Sequence, residues 1–104
     1  MIIVNTDYIT GKEIVEMLGI VKGSTVQTKN IGKDIMAGLR GLIGGEINEY
    51  TEMMDESRKI ALDKLIKQAK EIGADAVINI RFSTSSIMDG ASEILVYGTA
   101  VRVK

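Results

Sequence analysis

Residues 46–72 read EINEYTEMMDESRKIALDKLIKQAKEI, a run with neither glycine nor proline, set between Gly44-Gly45 and Gly73. At about 100° per residue, Ile47, Tyr50, Met54, Ala61, Leu65, Ala69 and Ile72 fall on one stripe, so the run predicts one long amphipathic helix. Met53 and Ile60 widen that stripe on one side, and Leu62 and Ile66 on the other. The apolar arc is therefore broader than a helix lying on a single sheet requires, and it should touch two surfaces: its own sheet and a neighbouring subunit. On the polar side, Asp55 with Lys59, Glu56 with Lys59, and Asp63 with Lys67 stand at helical spacing and make a solvated face.

Two features of this helix bear on chemistry. Arg58 projects into the apolar stripe, in line with Ile47, Met54 and Leu65. A guanidinium there needs a carboxylate, carbonyl oxygens at a subunit boundary or an anionic ligand, unless its stem lies on apolar surface and the head reaches water. Along the edge of the stripe, Glu46, Glu49, Met53 and Glu56 follow one another at spacings of three and four. Carboxylates so gathered suit a divalent cation, and the Met53 thioether suits a soft one. Acidic residues also belong in a first helical turn for electrostatic reasons alone, since they complement the helix dipole.

Outward from the helix, Lys67 and Lys70 lie in the last turns and Gly73 supplies a left-handed cap. Ala76, Ile78, Ile80 and Phe82 then alternate with Val77, Asn79, Arg81 and Ser83, which predicts a half-buried strand. STSSIMDGAS (83–92) reads as a loop. ILVYGTAVRVK (94–104) predicts a last strand with Leu95, Tyr97, Thr99, Val101 and Val103 on one face and Ile94, Val96 and Ala100 on the other, so both faces should be covered.

Before the helix, Ile2 to Val4 predict a brief strand. Residues 12–27 predict one long bent strand, rich in β-branched residues, with Gly19 and Gly23 as bulge positions. GIVKGST within it is not a phosphate loop, because Lys22 precedes Gly23 and no GxxxxGK[ST] can be written. Between Asn30 and Gly45, Ile31, Ile35, Leu39 and Leu42 recur at helical spacing. They predict a short glycine-rich helix whose Gly38, Gly41 and Gly45 would admit another backbone closely.

The expected fold is α+β, in one domain over residues 1–104: a small bent antiparallel sheet on one long helix, plus the short glycine-rich helix. Such a sheet has edges, yet the chain has no proline to blunt them. Pairing with further copies answers this, so a homo-oligomer is expected.

Composition narrows the function. Hydrophobic residues make up 45% of the 104 positions and aromatics 4%, while 13 basic and 14 acidic residues leave a net charge of −1. Without basic runs or stacking platforms, nucleic acid is not an expected partner. There is no cysteine and no histidine, so thiolate chemistry, disulfides and the usual zinc and triad groups are missing. The N-terminus has no signal-peptide pattern and no stretch reaches membrane-spanning length, which predicts a cytoplasmic protein with no membrane partner.

GGEINEYTEMMDESRKIAL, KEIGADAVINIRFSTS and EILVYGTAVRVK, with LGIVKGSTV earlier in the chain, strongly resemble the YbjQ family of small bacterial and archaeal proteins. The resemblance covers nearly the whole chain, and its four motifs fall in the family's order and spacing. It implies a dodecin-like subunit assembled as a ring, a homopentamer, and carries a heavy-metal-binding label. Carried over residue by residue, it marks Glu46, Tyr50, Thr51, Met53 and Arg58 in the helix and Tyr97, Gly98 and Thr99 in the last strand. Without Cys or His, any metal must be held by carboxylates and methionine.

Three functional readings follow. The first is a non-enzymatic oligomeric binding protein for a divalent or soft metal ion, with Glu46, Glu49 and Met53 as ligands. The second is a ring that binds a small molecule or anion in clefts between subunits lined by Tyr50, Arg58, Tyr97 and Thr99. The third is a purely structural, partner-organising ring. An enzyme ranks below these, because no spacing pairs a nucleophile with its base.

Overall fold

A computed structural model describes residues 1–28, 48–88 and 91–104. Strand β1 (Ile2–Ile3) is followed by β2 (Ile14–Thr28), helix α1 (Asn48–Glu71), β3 (Ala76–Met88) and β4 (Ala91–Val103). The four strands form one sheet in the order β1-β3-β4-β2. β4 is antiparallel to both neighbours, while β1 runs parallel to β3 through Ile2↔Ala76 and Ile3↔Val77. The sheet is therefore mixed, not wholly antiparallel as expected. The cause is the N-terminal segment, which runs on alongside β3: Val4 N–H donates to the Val77 carbonyl (3.0 Å), and Asn79 and Ile80 N–H donate to Thr6 (2.9 Å) and Val4 (3.1 Å).

The expected long helix is present. Its seam is Ser57, Ala61, Leu65 and Ala69, four residues apart and all buried. Gly73 (φ 80°) ends it, with Ala74 N–H donating to the Ala69 carbonyl and Gly73 N–H to that of Lys70, both at 3.0 Å. That pair of bonds is the Schellman arrangement and satisfies two carbonyls the helix leaves open. The short helix expected over Asn30–Gly45 lies outside the described residues, as do Glu46 and Ile47.

β2 bends where the sequence placed one of its two glycines. Its pairing with β4 shifts register between Met17 and Gly19, and Gly19 sits at φ 117°, a conformation that favours glycine. Gly23 is no bulge. It pairs in regular register with Val96, and it is glycine because α1 crosses over it: a Cβ built there would lie 2.7 Å from the Leu65 nitrogen and would meet the Ala61 carbonyl oxygen.

The helix is also tied to the outer edge of β2. Lys22 N–H donates to Gln68 Oε1 (2.7 Å), and Lys64 Nζ donates to the Ser24 carbonyl (2.9 Å). Thr25 Oγ1 donates to the Ser57 carbonyl (3.1 Å), and Gln27 Nε2 donates to Ser57 Oγ. Backbone groups that would otherwise invite another strand are thus occupied by the chain's own side chains.

STSSIMDGAS is mostly strand, not loop. β3 runs to Met88 and pairs with β4 down to Met88↔Ala91. Every residue from Arg81 to Met88 is exposed, so this arm has no burial alternation to betray it in sequence.

Two apolar layers flank the sheet. On the helix side, Val21, Val77, Ile80, Ile94, Val96 and Ala100 pack with Ala61, Leu65 and Ala69. On the other side, Ile9, Ala76, Ile78 and Val101 pack with Ile2, Val4, Ile14 and Val103. The second layer covers only the end of the sheet reached by residues 2–14.

Candidate functional site

The uncovered remainder of that second face is where β4 presents Leu95, Tyr97 and Thr99. Register fixes what stands beside them, because residues paired across antiparallel strands share a face. Thr99 is flanked by Ile20 and Ile78, Tyr97 by Lys22 and Arg81, and Leu95 by Ser24 and Ser83. Ile78 belongs to the covered layer. The rest is open: Ile20 is 79% exposed, Val26 53% and Tyr97 40%. Both faces of β4 are apolar, as its sequence indicates, but in a single chain only the helix face and the Val101–Val103 end of the other are covered.

The middle row, Lys22, Tyr97 and Arg81, carries the charge. Lys22 N–H points outward to Gln68, so Lys22 and Tyr97 form a pair not hydrogen-bonded to each other, the geometry that brings side chains closest. Arg81 is fixed by one nitrogen, Nη1, which donates to the Asn5 and Ile80 carbonyls, both at 2.9 Å. A register shift between Ile78 and Arg81 sets this position. Asn79 there adopts φ 54°, an uncommon conformation that asparagine tolerates better than most residues. The bulge turns Arg81 onto the Tyr97 face while Ile80 stays in the helix-side core.

Of the residues named from sequence, the structure places some together and separates others. Tyr97 and Thr99 are neighbours on the open face. Arg58 lies on α1, on the opposite side of the sheet, so one chain cannot bring Arg58 and Tyr97 into one pocket. Nor does Arg58 sit in the buried stripe: its side chain is 49% exposed and pairs with Asp55 (3.1 Å), the carboxylate expected to serve Lys59. The reason is that the buried side of α1 rotates along its length. Near the N-terminus it is Ser57, held by Thr25 and Gln27, that faces the sheet.

Glu46 lies outside the described residues, as do the side chains of Glu49 and Tyr50, although their backbone opens α1. Met53 is half-buried. Among the described residues no three acidic, cysteine or histidine side chains converge on a point. The sequence contains neither thiolate nor imidazole, which leaves carboxylate oxygens and methionine thioethers as the donors for a heavy metal.

Sequence reasoning missed Lys22 and Arg81. Lys22 was visible only as part of a loop that is not a phosphate loop, and Arg81 only as a polar alternate of its strand. Strand pairing puts them together, and one sequence carries no direct mark of register.

A family model described as "Putative heavy-metal-binding" matches residues 1–104. A UPF0145 protein of Clostridium novyi is 59% identical over 103 residues, covering 99% of each chain. UPF0145 proteins of Thermosipho africanus (59% identical, covering 100% of this chain and 96% of the relative) and Methanosarcina acetivorans (54%, 99% and 97%) are similar over the same length. A crystal structure from Pediococcus pentosaceus, of a protein with unknown function in the DUF74 family, superposes with a TM-score of 0.69 over 100% of this chain and 98% of that one. At 18% identity, it shows the fold alone.

Proposed function

The chain belongs to the YbjQ family, and from that premise we propose that it is a non-enzymatic binding protein working as a homo-oligomer, in the ring its resemblance implies. One observation carries the reading: among the described residues, the second sheet face beyond its Val101–Val103 end presents Ile20, Tyr97 and Val26 with their side chains exposed. Exposed apolar side chains set around a charged middle row suit an interaction surface, and further copies of the chain are the occupant the ring supplies. Its support as a binder and not a catalyst is the chain's chemistry: it has no histidine or cysteine, and no sequence spacing pairs a nucleophile with its base. Sedimentation velocity checks the assembly. A single sharp species several times the 11.3 kDa chain mass is expected at micromolar concentration, and a compact monomer across the range would end the reading.

Two ligand classes fit such a ring. The family description supports a cation, taken by Glu46 and Glu49 with Met53. Calorimetric titration with divalent and soft cations should then show binding that disappears in the combined Glu46→Gln, Glu49→Gln, Met53→Leu variant; binding left intact removes those residues. The open face supports the other class, a small molecule or anion held at Tyr97 and Thr99, with Arg58 and Tyr50 arriving from a neighbouring copy. Only a neighbour could supply Arg58, because its own sheet stands between it and Tyr97.

A further inference from the structure

The geometry points to an oxyanion site built by one chain: Lys22, Tyr97 and Arg81, with Thr99 in the next row, receive a phosphate or carboxylate group on the open face of the sheet. This rests on the reading of that face as a binding surface. It supplies the ligand class, and it moves the cations from Arg58 to two strands nobody would pair from sequence.

The donor set is the first argument. A lysine ammonium, a guanidinium, a phenol and an alcohol all donate hydrogen bonds, and the two cations have no acceptor capacity at all. Lys22 and Arg81 stand on strands two spacings apart, about 10 Å, with Tyr97 between them. Lys22 is within reach of a group seated above the phenol, and Arg81, held at the Asn5 carbonyl on the far side of β3, would meet the same group through its unbonded edge.

The absence of competition on this face is the second argument. Arg102 has Glu16, Arg58 has Asp55 and Lys104 has Glu13. Among the described residues, neither Lys22 nor Arg81 has a carboxylate. The acid of β4 on the same face is Glu93, four residues from Tyr97 and so about 13 Å away. Two like charges are thus held in one row with no carboxylate among the described residues paired to either.

Preorganisation is the third. The Arg81 guanidinium is anchored through Nη1 to the Asn5 and Ile80 carbonyls, which leaves Nε and Nη2 without a hydrogen-bond partner among the described residues and available to an oxyanion. That fork geometry matches phosphate and carboxylate oxygens. The bulge at Asn79 that aims Arg81 is also of the kind found where a strand re-directs a side chain to a site.

The full chain is titrated with inorganic phosphate and, separately, with succinate, following backbone amide shifts and heat. Saturable binding is expected, with shifts centred on Lys22, Tyr97 and Arg81, and at least tenfold weaker in Lys22→Gln and Tyr97→Phe. Lys22→Gln is the primary variant because the Lys22 ammonium holds no other group among the described residues; Arg81→Lys keeps the charge but loses the fork, and should weaken binding less than Lys22→Gln does. Arg58→Gln should leave the affinity unchanged. Binding that survives Lys22→Gln and Tyr97→Phe, or that is lost in Arg58→Gln instead, overturns this site while keeping an anion-binding protein. No saturable binding of either anion overturns both. Phosphate bound without succinate, or the reverse, fixes the source of the oxyanion.

Discussion

Gly23→Ala is expected to lower the melting temperature by more than about 10 °C, at fixed protein concentration, a larger loss than any other single methyl addition in β2. The built Cβ would meet the Ala61 carbonyl oxygen and lie 2.7 Å from the Leu65 nitrogen and 2.9 Å from Lys64 Cβ. Two of those atoms are helix backbone, which cannot swing aside as a side-chain tip can. The whole helix must lift from β2, and that loosens Leu65 against Val21 and Val96 and stretches the Gln68 and Lys64 bonds to the strand edge. Overpacking of this kind costs about 3 kcal/mol, and each kcal/mol moves a protein of this size by roughly 4–8 °C. Gly19→Ala is the control. A Cβ there meets nothing within 4 Å, so its cost is the backbone strain at φ 117°, about 1–3 kcal/mol, with the helix left in place and its bonds to the strand edge intact. A Gly23→Ala protein melting within a few degrees of the parent would mean that the helix does not cross β2 this closely.

That glycine also shows what a single sequence can disclose. A glycine inside a strand marks either a bulge or the close approach of another backbone, and nothing in GIVKGST distinguishes the two. Gly19 is the first kind and Gly23 the second. The long helix was legible because Ala61, Leu65 and Ala69 repeat at four residues inside an unbroken run, and its C-terminus because Gly73 follows two lysines. Arg58 was misplaced because the helical wheel assumes one side faces the sheet throughout. The packing of Ser57 against Thr25 and Gln27 turns that side away.

The strands divide in the same way. Residues 12–27 and 94–104 were legible as strands because burial on one or both faces leaves its mark in β-branched and apolar residues. The arm from Ser83 to Met88 left none, being exposed on both faces. Its sign was the Asp89-Gly90 dipeptide, of a kind favoured in two-residue hairpin connections, standing between two runs that pair. The parallel addition of β1 was not legible, since two residues carry no orientation and the bonds that decide it come from Val4 and Thr6. On the open face, the sequence named Tyr97 and Thr99, which the structure sets side by side, and passed over their neighbours Lys22 and Arg81, because residues brought together across three strands are neighbours only once register is fixed.

Leu65→Ala is expected to cost about 3 kcal/mol or more, within the 2–5 kcal/mol range for truncating a buried leucine. Leu65 is fully buried and packs among Val21, Val77, Val96 and Ala100 beneath the helix. Gly23 directly under the helix has no side chain of its own to move into the space, so the cavity closes only in part. The loss belongs to each chain's own core, and the Leu65→Ala melting temperature should therefore fall by the same amount at every protein concentration. Ile20→Ser separates this from assembly. Ile20 is 79% exposed in one chain, and a surface substitution would move stability by no more than about 0.5 kcal/mol. Copies that cover the open face change that: Ile20→Ser then weakens association, and its melting temperature drops most at low concentration, where mass action favours separated chains. Parallel concentration series for the two variants would show a constant offset for Leu65→Ala and a widening one on dilution for Ile20→Ser. Two constant offsets, with the Ile20→Ser one near zero, would place the contact between copies somewhere other than the Ile20–Tyr97 face.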